Sequence, residues 1–431
     1  MSEREQLLLF PEVVSEARAR PDNSSTFADN VALPVHRWFR FSAGFSAEWA
    51  ESVIRDAARY TVARVLDPFA GSGTTLIAAE NTGSEAYGIE AHPFIYRVAR
   101  AKLARRTSPG EYRDLTQRVR ARALRKTPRV DGYPPLIRKC YEPGALERLD
   151  ALRQALEELR DESPAWELAW LTLVGILRTT AAVNTAQWQY VLPRKPKKRS
   201  VDPFDAFDMM TRTVYTDMVL SREIGGPRAI LINGDARECG GVPNRFATLV
   251  ITSPPYPNNY DYADATRLEM CFLGEIQSWS DLQQAVRRHL VRSCSQHVSE
   301  KAVDRDAVLA SADLGPIRNE VTQVYNELAK IRLAKGGRKN YHLMVACYFQ
   351  DMARVWRSLR RVCDTPCRVC FVIGDSAPYG VYVPVIGWLS ELAAAAGFRG
   401  ASFEKTRDRN VKWKNRKHRV PLCEGRLWVE G

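Results

Sequence analysis

Apolar positions along the chain fall into two rhythms, and their alternation predicts the architecture. Short, largely apolar runs occur at 62–66, 86–89, 229–232, 247–251 and 368–374. Runs of that length read as strands buried on both faces of a parallel sheet. Between and around them, apolar residues three and four apart predict helices over 46–60, 74–80, 94–105 and 341–362. Ser46 is a fitting N-cap with Glu48 in the next turn, and a helix from Pro384 is stopped by Gly397. Strands that alternate with helices in this way make an α/β fold.

Two stretches interrupt the alternation. Residues 106–228 carry helical spacing at 112–126, 144–161, 165–183 and 204–221, with a basic loop, Pro193-Arg194-Lys195-Pro196-Lys197-Lys198-Arg199, between the last two. Residues 261–340 read as a second, helical insertion ending in a flexible Lys335-Gly336-Gly337-Arg338-Lys339. The expected division is therefore an N-terminal arm (1–33), a catalytic domain in three parts (34–105, 229–260 and 341–431) and two insertions (106–228 and 261–340). The last part closes with basic strands around 405–410 and 419–429.

Composition adds three constraints. Lys and Arg total 63 against 50 Asp and Glu, a net +13 that favours polyanionic partners. The nine cysteines are an odd number and the first residues are polar, so a reducing compartment with free thiols is expected. The longest apolar stretch, Leu168–Leu177, is shorter than a membrane span, and no membrane association is expected. Cys363, Cys367 and Cys370 have metal-like spacing, but Cys370 lies inside an apolar run and no fourth ligand is near, so no metal is expected.

Chemistry concentrates in two strings at predicted strand ends, where open α/β sheets bind ligands. The first is Asp67-Pro68-Phe69-Ala70-Gly71-Ser72-Gly73-Thr74-Thr75. Pro68 cannot extend a ladder, Gly71 and Gly73 allow a tight turn close to a ligand, and Thr74 opens a helix with free N–H groups. The Gly-Lys-Ser/Thr ending of a phosphate loop is missing. Glu90 closes the next strand, where an acid accepts hydrogen bonds from both ribose hydroxyls. Asp235 closes the strand before the second string, where it can accept from an adenine amine. These features suit a nucleoside cofactor, without specifying which one.

The second string is Thr252-Ser253-Pro254-Pro255-Tyr256. An exocyclic base amine is a poor nucleophile because its lone pair is delocalised into the ring. The Ser253 Oγ and the Pro254 carbonyl can accept the amine hydrogens and draw the nitrogen towards tetrahedral geometry. Consecutive prolines hold that carbonyl rigid, and Tyr256 offers a ring on which a base stacks. Attack on cytosine C5 would need a cysteine after the strand, and none follows Ile251.

These residues resemble the DNA amino-methyltransferase family, over 35–105 and 229–260 closely and over 341–431 more loosely. The resemblance implies a Rossmann-like S-adenosylmethionine-dependent methyltransferase sheet with largely helical insertions. It implies S-adenosylmethionine as cofactor, held by Asp67, Pro68, Phe69, Gly71, Gly73, Thr74, Glu90 and Asp235, with Trp38 from a segment (37–45) that packs near the methionine moiety. It makes Ser253, Pro254, Pro255 and Tyr256 catalytic. Serine before Pro-Pro is commoner among the family's N4-cytosine enzymes, which favours N4 of a flipped-out cytosine; N6 of adenine and an RNA base stay as alternatives. The implied partner is double-stranded DNA, with a separately encoded restriction endonuclease or defence partner compatible with the family, in a prokaryotic cytoplasm at the nucleoid. Candidate DNA contacts are Asn258 and Tyr260 after the catalytic turn, Trp188 with Arg194, Lys195, Lys197, Lys198 and Arg199, and Lys412 and Lys414 in the tail.

Overall fold

A computed structural model describes residues 27–41, 44–186, 190–257, 261–409 and 420–431. Nine strands are present among them: β1 (Arg64–Asp67), β2 (Glu85–Glu90), β3 (Val183–Thr185), β4 (Val191–Pro196), β5 (Ile230–Asn233), β6 (Ala247–Thr252), β7 (Cys363–Gly374), β8 (Arg399–Asp408) and β9 (Cys423–Glu430). Seven form one sheet in the order β5-β2-β1-β6-β7-β9-β8, parallel from β5 to β7, with β9 antiparallel to both its neighbours. This is the expected mixed α/β, Rossmann-like methyltransferase fold. The order reverses direction between β1 and β6, so a crevice opens beyond their carboxyl ends. Register aligns those ends: Val65 pairs with both Ala86 and Leu249, and Glu90 pairs with Asn233.

The helices are α1 (Ala47–Ala58), α2 (Thr74–Asn81), α3 (Pro93–Leu103), α4 (Pro109–Ala123), α5 (Pro135–Cys140), α6 (Pro143–Glu158), α7 (Pro164–Thr180), α8 (Pro203–Ser221), α9 (Tyr262–Ala265), α10 (Arg267–Leu273), α11 (Leu282–Ala285), α12 (Arg305–Ala310), α13 (Arg318–Ala334), α14 (Tyr341–Val362) and α15 (Val385–Ala395). Ser46 caps α1 as expected, its Oγ accepting the Trp49 N–H. Proline opens α3 to α8, where its missing N–H costs no helical bond. No helix among the described residues is long and apolar enough to cross a membrane.

Alternate residues of the central strands feed two cores. Val65, Leu249, Ile251 and Val372 pack on the side that carries α1 to α3, whereas Leu66, Val250, Val369 and Phe371 pack under α14. The first insertion shares the former core: Trp166, Trp170 and Leu173 of α7 bury in the same cluster as Phe94 of α3. It is therefore fused to the catalytic body rather than hung from it. The buried Asp217 of α8 seals the junction by accepting the Val35 N–H at 2.9 Å, the Trp38 indole N–H at 2.7 Å and the Arg37 guanidinium at 2.5 Å. Backbone also approaches closely here, since a Cβ on Gly175 would lie 2.5 Å from the Trp38 carbonyl oxygen.

Several expected boundaries move. The basic stretch expected as a loop over 193–199 enters a hairpin, with β4 antiparallel to β3. Its prolines and exposed cations are tolerated because a two-stranded ribbon has free edges. The expected strand at 368–374 begins at Cys363, and β8 begins at Arg399 rather than near 405. Phe27–Ala32 forms a 3₁₀ turn within the expected arm, whose first 26 residues lie outside the described ones.

Candidate functional site

The carboxyl ends of β1, β2 and β6 converge on Asp67. Its carboxylate is 2 % exposed and accepts from the Thr252 hydroxyl at 2.6 Å, the Thr75 hydroxyl at 2.6 Å and the Phe69 N–H at 3.0 Å. Thr75 also reaches the Ile251 carbonyl at 3.2 Å. The first residue of the cofactor turn is thus tied to the last residue of β6, immediately before Ser253. Burial pushes the Asp67 carboxyl up to about 6, against the pull of the three donors. The two strings behave as one unit although 185 positions separate their bonded members.

Glu90 fixes the other wall of the turn. Its Oε2 accepts the Gly71 N–H at 2.8 Å and its Oε1 accepts the His92 N–H at 2.7 Å. Desolvation outweighs these bonds and pushes the carboxyl up to about 7. Gly71 and Gly73 have φ of 53° and 91°, so glycine is required for the loop between β1 and α2 to close. Pro68, Phe69 and Thr74 lie in the same loop, with Thr74 opening α2. A Cβ at Gly88 would meet Leu76 at 2.6 Å, which packs α2 directly on β2.

Ser253 follows β6 and donates its hydroxyl proton to the Val372 carbonyl at 3.1 Å. With its proton engaged, the Ser253 Oγ presents lone pairs. Pro254 and Tyr256 are buried, Pro255 partly so. The Arg409 guanidinium lies 5.0 Å from the centre of the Tyr256 ring, steadied by the Asp375 carbonyl at 2.6 Å. Burial raises the Tyr256 phenol well above its ordinary range.

Two expected cofactor residues have other partners. Asp235 takes three side-chain bonds from Arg237, the shortest 2.6 Å, and Arg237 passes on to the buried Asp351 at 3.3 Å. An adenine amine would share that carboxylate with a guanidinium. Beside it lies a cavity of about 500 Å³ lined by Arg237, Arg354, Arg357 and Arg361 of the loop and α14. The first three of these pair with acids, and Arg361 bonds Asn244 and the Glu238 carbonyl. Trp38 is 1 % exposed with its indole on Asp217, so it supports the site's flank from within the insertion core.

A family model described as DNA methylase matches residues 9–101, the segment that contains α1, β1, the cofactor turn and β2. Two type II methyltransferases match nearly the whole chain. M.AvaI of Nostoc sp. is 24 % identical over 86 % of this chain and 81 % of its own. M.BsoBI of Geobacillus stearothermophilus is 23 % identical over 90 % of this chain and 83 % of its own. Together with the two strings at the strand ends, these similarities support a DNA amino-methyltransferase. No solved structure matches the chain.

In this amino-methyltransferase the candidate DNA contacts divide by position. Arg194, Lys195, Lys198 and Arg199 are exposed on and beyond β4. Lys197 is partly buried, and its ammonium donates to the Arg178 carbonyl. Trp188, Asn258, Tyr260, Lys412 and Lys414 lie outside the described residues. Sequence reasoning did not single out Thr252 and Thr75 as the clamp on Asp67, nor Arg409 over Tyr256. It also missed Asp375, a buried acid one residue past β7 that accepts from the Tyr382 phenol at 3.0 Å. An acid directly after an apolar strand was the available signal for Asp375.

Proposed function

We propose that this DNA methyltransferase transfers a methyl group from S-adenosylmethionine to the exocyclic N4 of a cytosine flipped out of double-stranded DNA. The observation that carries the reading is the Ser253 hydroxyl: its proton is committed to the Val372 carbonyl, so its oxygen is an acceptor beside the Pro254 carbonyl. Two acceptors on one amine pull the nitrogen lone pair out of conjugation and aim it along the methyl-transfer line. Positioning supplies most of the rate, because the methyl already sits on a sulfonium leaving group. Asp67 and Glu90 line the turn that holds the nucleoside, and S-adenosylmethionine supplies the electrophilic methyl when bound.

Tyr256 stacks on the flipped base, with Arg409 bracing its ring. The exposed Arg194, Lys195, Lys198 and Arg199 lie along phosphates, giving affinity without sequence. The partly buried Lys197, bonded to the Arg178 carbonyl, orders the hairpin from behind. The similarity to two type II methyltransferases supports a restriction-modification role with a separately encoded endonuclease, in a prokaryotic cytoplasm. Methylation of adenine N6 uses the same geometry, and the choice between the bases rests on Ser253.

The test is methyl transfer from labelled S-adenosylmethionine to genomic DNA from a host lacking modification. Ser253→Ala and Tyr256→Ala are each expected to lose about 100-fold or more of the transfer rate while retaining cofactor binding, consistent with loss of one positioned acceptor or stacking face. Unchanged transfer in Ser253→Ala would remove the site assignment.

A further inference from the structure

Eight residues beyond Ser253, the second insertion folds back on the catalytic turn around Asp261. The Asp261 Oδ2 accepts Nη2 of the buried Arg287 at 2.6 Å and its Nε at 3.0 Å. Its Oδ1 accepts the Ala263 N–H at 3.2 Å and lies 3.7 Å from Nε2 of His297. The Cys294 Sγ completes a set whose three ligand atoms all fall within 4.8 Å of one another.

His297 is the telling member. Its Nδ1 is 3.1 Å from the Val291 carbonyl, and a carbonyl only accepts, so Nδ1 carries a proton and donates it. Nε2 then faces the carboxylate and the thiol, buried and without any hydrogen-bond partner. A bare lone pair there would point at a carboxylate oxygen, and a proton there would face that oxygen across a gap too long for a hydrogen bond. A cation between the two resolves both difficulties. A histidine that ligates a metal through one ring nitrogen almost always donates the other N–H to a carbonyl or carboxylate, and His297 is prepared in this way.

We propose that Asp261, Cys294 and His297 bind one divalent ion of the zinc class, with a water molecule in the fourth position. Bonds of about 2.0–2.1 Å to nitrogen and oxygen and about 2.3 Å to sulfur require ligand separations of about 3.3–3.6 Å in a tetrahedron. The 3.7 Å edge between Asp261 and His297 nearly meets this, and side-chain shifts of about an ångström or less close the set. A thiolate, an imidazole and a carboxylate form a borderline donor set that suits zinc better than magnesium or calcium. Arg287 is no obstacle. It bonds Oδ2 and leaves Oδ1 for the ion.

The ion braces the start of the second insertion, where it meets the catalytic turn and the first insertion. Asp261 caps α9 just after the catalytic turn, Cys294 and His297 belong to the second insertion, and the Asp261 N–H donates to the phenol of Tyr190 in the first insertion at 2.8 Å. Its role is to hold the pocket wall, with no part in methyl transfer.

Metal analysis of the full-length chain, purified without chelator from zinc-supplemented cells, tests the site. About one zinc per chain is expected, weakened about tenfold or more in Cys294→Ser and His297→Ala and unaffected in Cys423→Ser. Cobalt substitution of the wild-type chain is expected to give the thiolate-to-cobalt charge-transfer band of a sulfur-ligated ion. That second readout needs no variant to fold. A wild-type chain with neither zinc nor the cobalt band, or zinc held as tightly in folded Cys294→Ser as in wild type, overturns the proposal.

Discussion

Thr252→Val removes one hydroxyl and keeps the branched shape that β6 requires. The lost bond is 2.6 Å long and ends on a carboxylate that is 2 % exposed. A hydrogen bond to a buried charged group contributes about 1.5–3 kcal/mol, and a neutral one about 0.5–1.5 kcal/mol. Near pH 8 Asp67, with its carboxyl pushed up to about 6, is ionised in the folded chain, so the higher range applies. Near pH 5 it is mostly protonated and the lower range applies, so about 1–1.5 kcal/mol of the destabilisation should disappear. The sign follows from linkage. A carboxyl whose folded value lies above its usual 3.8 costs stability as pH rises from about 3.8 to about 6. Valine removes a donor to the charged form, lifts that value further and carries the loss to higher pH. Denaturation midpoints of the variant and wild type at both pH values check this. A loss of equal size at both, or one below about 0.5 kcal/mol near pH 8, refutes the view that Thr252 stabilises an ionised Asp67.

Glu90→Gln should weaken S-adenosylmethionine binding by about 10–100-fold, the equivalent of about 1.5–3 kcal/mol. In wild type the Glu90 carboxyl, pushed up to about 7, loses its charge as pH falls through that value, so affinity should decline in acid while the variant's stays flat by calorimetry. Asp217→Asn should cost about 3–5 kcal/mol, since it strands the Arg37 guanidinium and the Trp38 indole in a buried junction. Thermal denaturation measures that loss, and limited proteolysis should show earlier cutting around residues 27–41.

Regular periods were legible and punctuation was less so. The α14 span was read to the residue, because 22 positions of unbroken amphipathic spacing leave no other reading. Five helices were expected to start at 94, 112, 144, 165 and 204, yet they begin at Pro93, Pro109, Pro143, Pro164 and Pro203. Apolar spacing does not register these prolines, whose fixed φ suits the first helical position. The strand β4 was hidden by its charges and prolines, which a ribbon edge accepts. At the site, Asp67 and Glu90 were visible because strand-end acids are local features. The clamp from Thr252, the tie of Arg237 to Asp351 of α14, the anchoring of Trp38 on Asp217 and the bracing of Tyr256 by Arg409 all depend on tertiary placement. Each of these pairings spans more than a hundred residues, and no local pattern encodes them.

The central claim is most directly tested by mass spectrometry of nucleosides from duplex DNA incubated with the purified chain and methyl-labelled S-adenosylmethionine. The account predicts label in N4-methylcytidine's deoxy form, lost in Ser253→Ala. Label in N6-methyladenine instead would contradict the base assignment drawn from Ser253. An unlabelled DNA pool, with label recovered only from RNA supplied in parallel, would contradict the account as a whole.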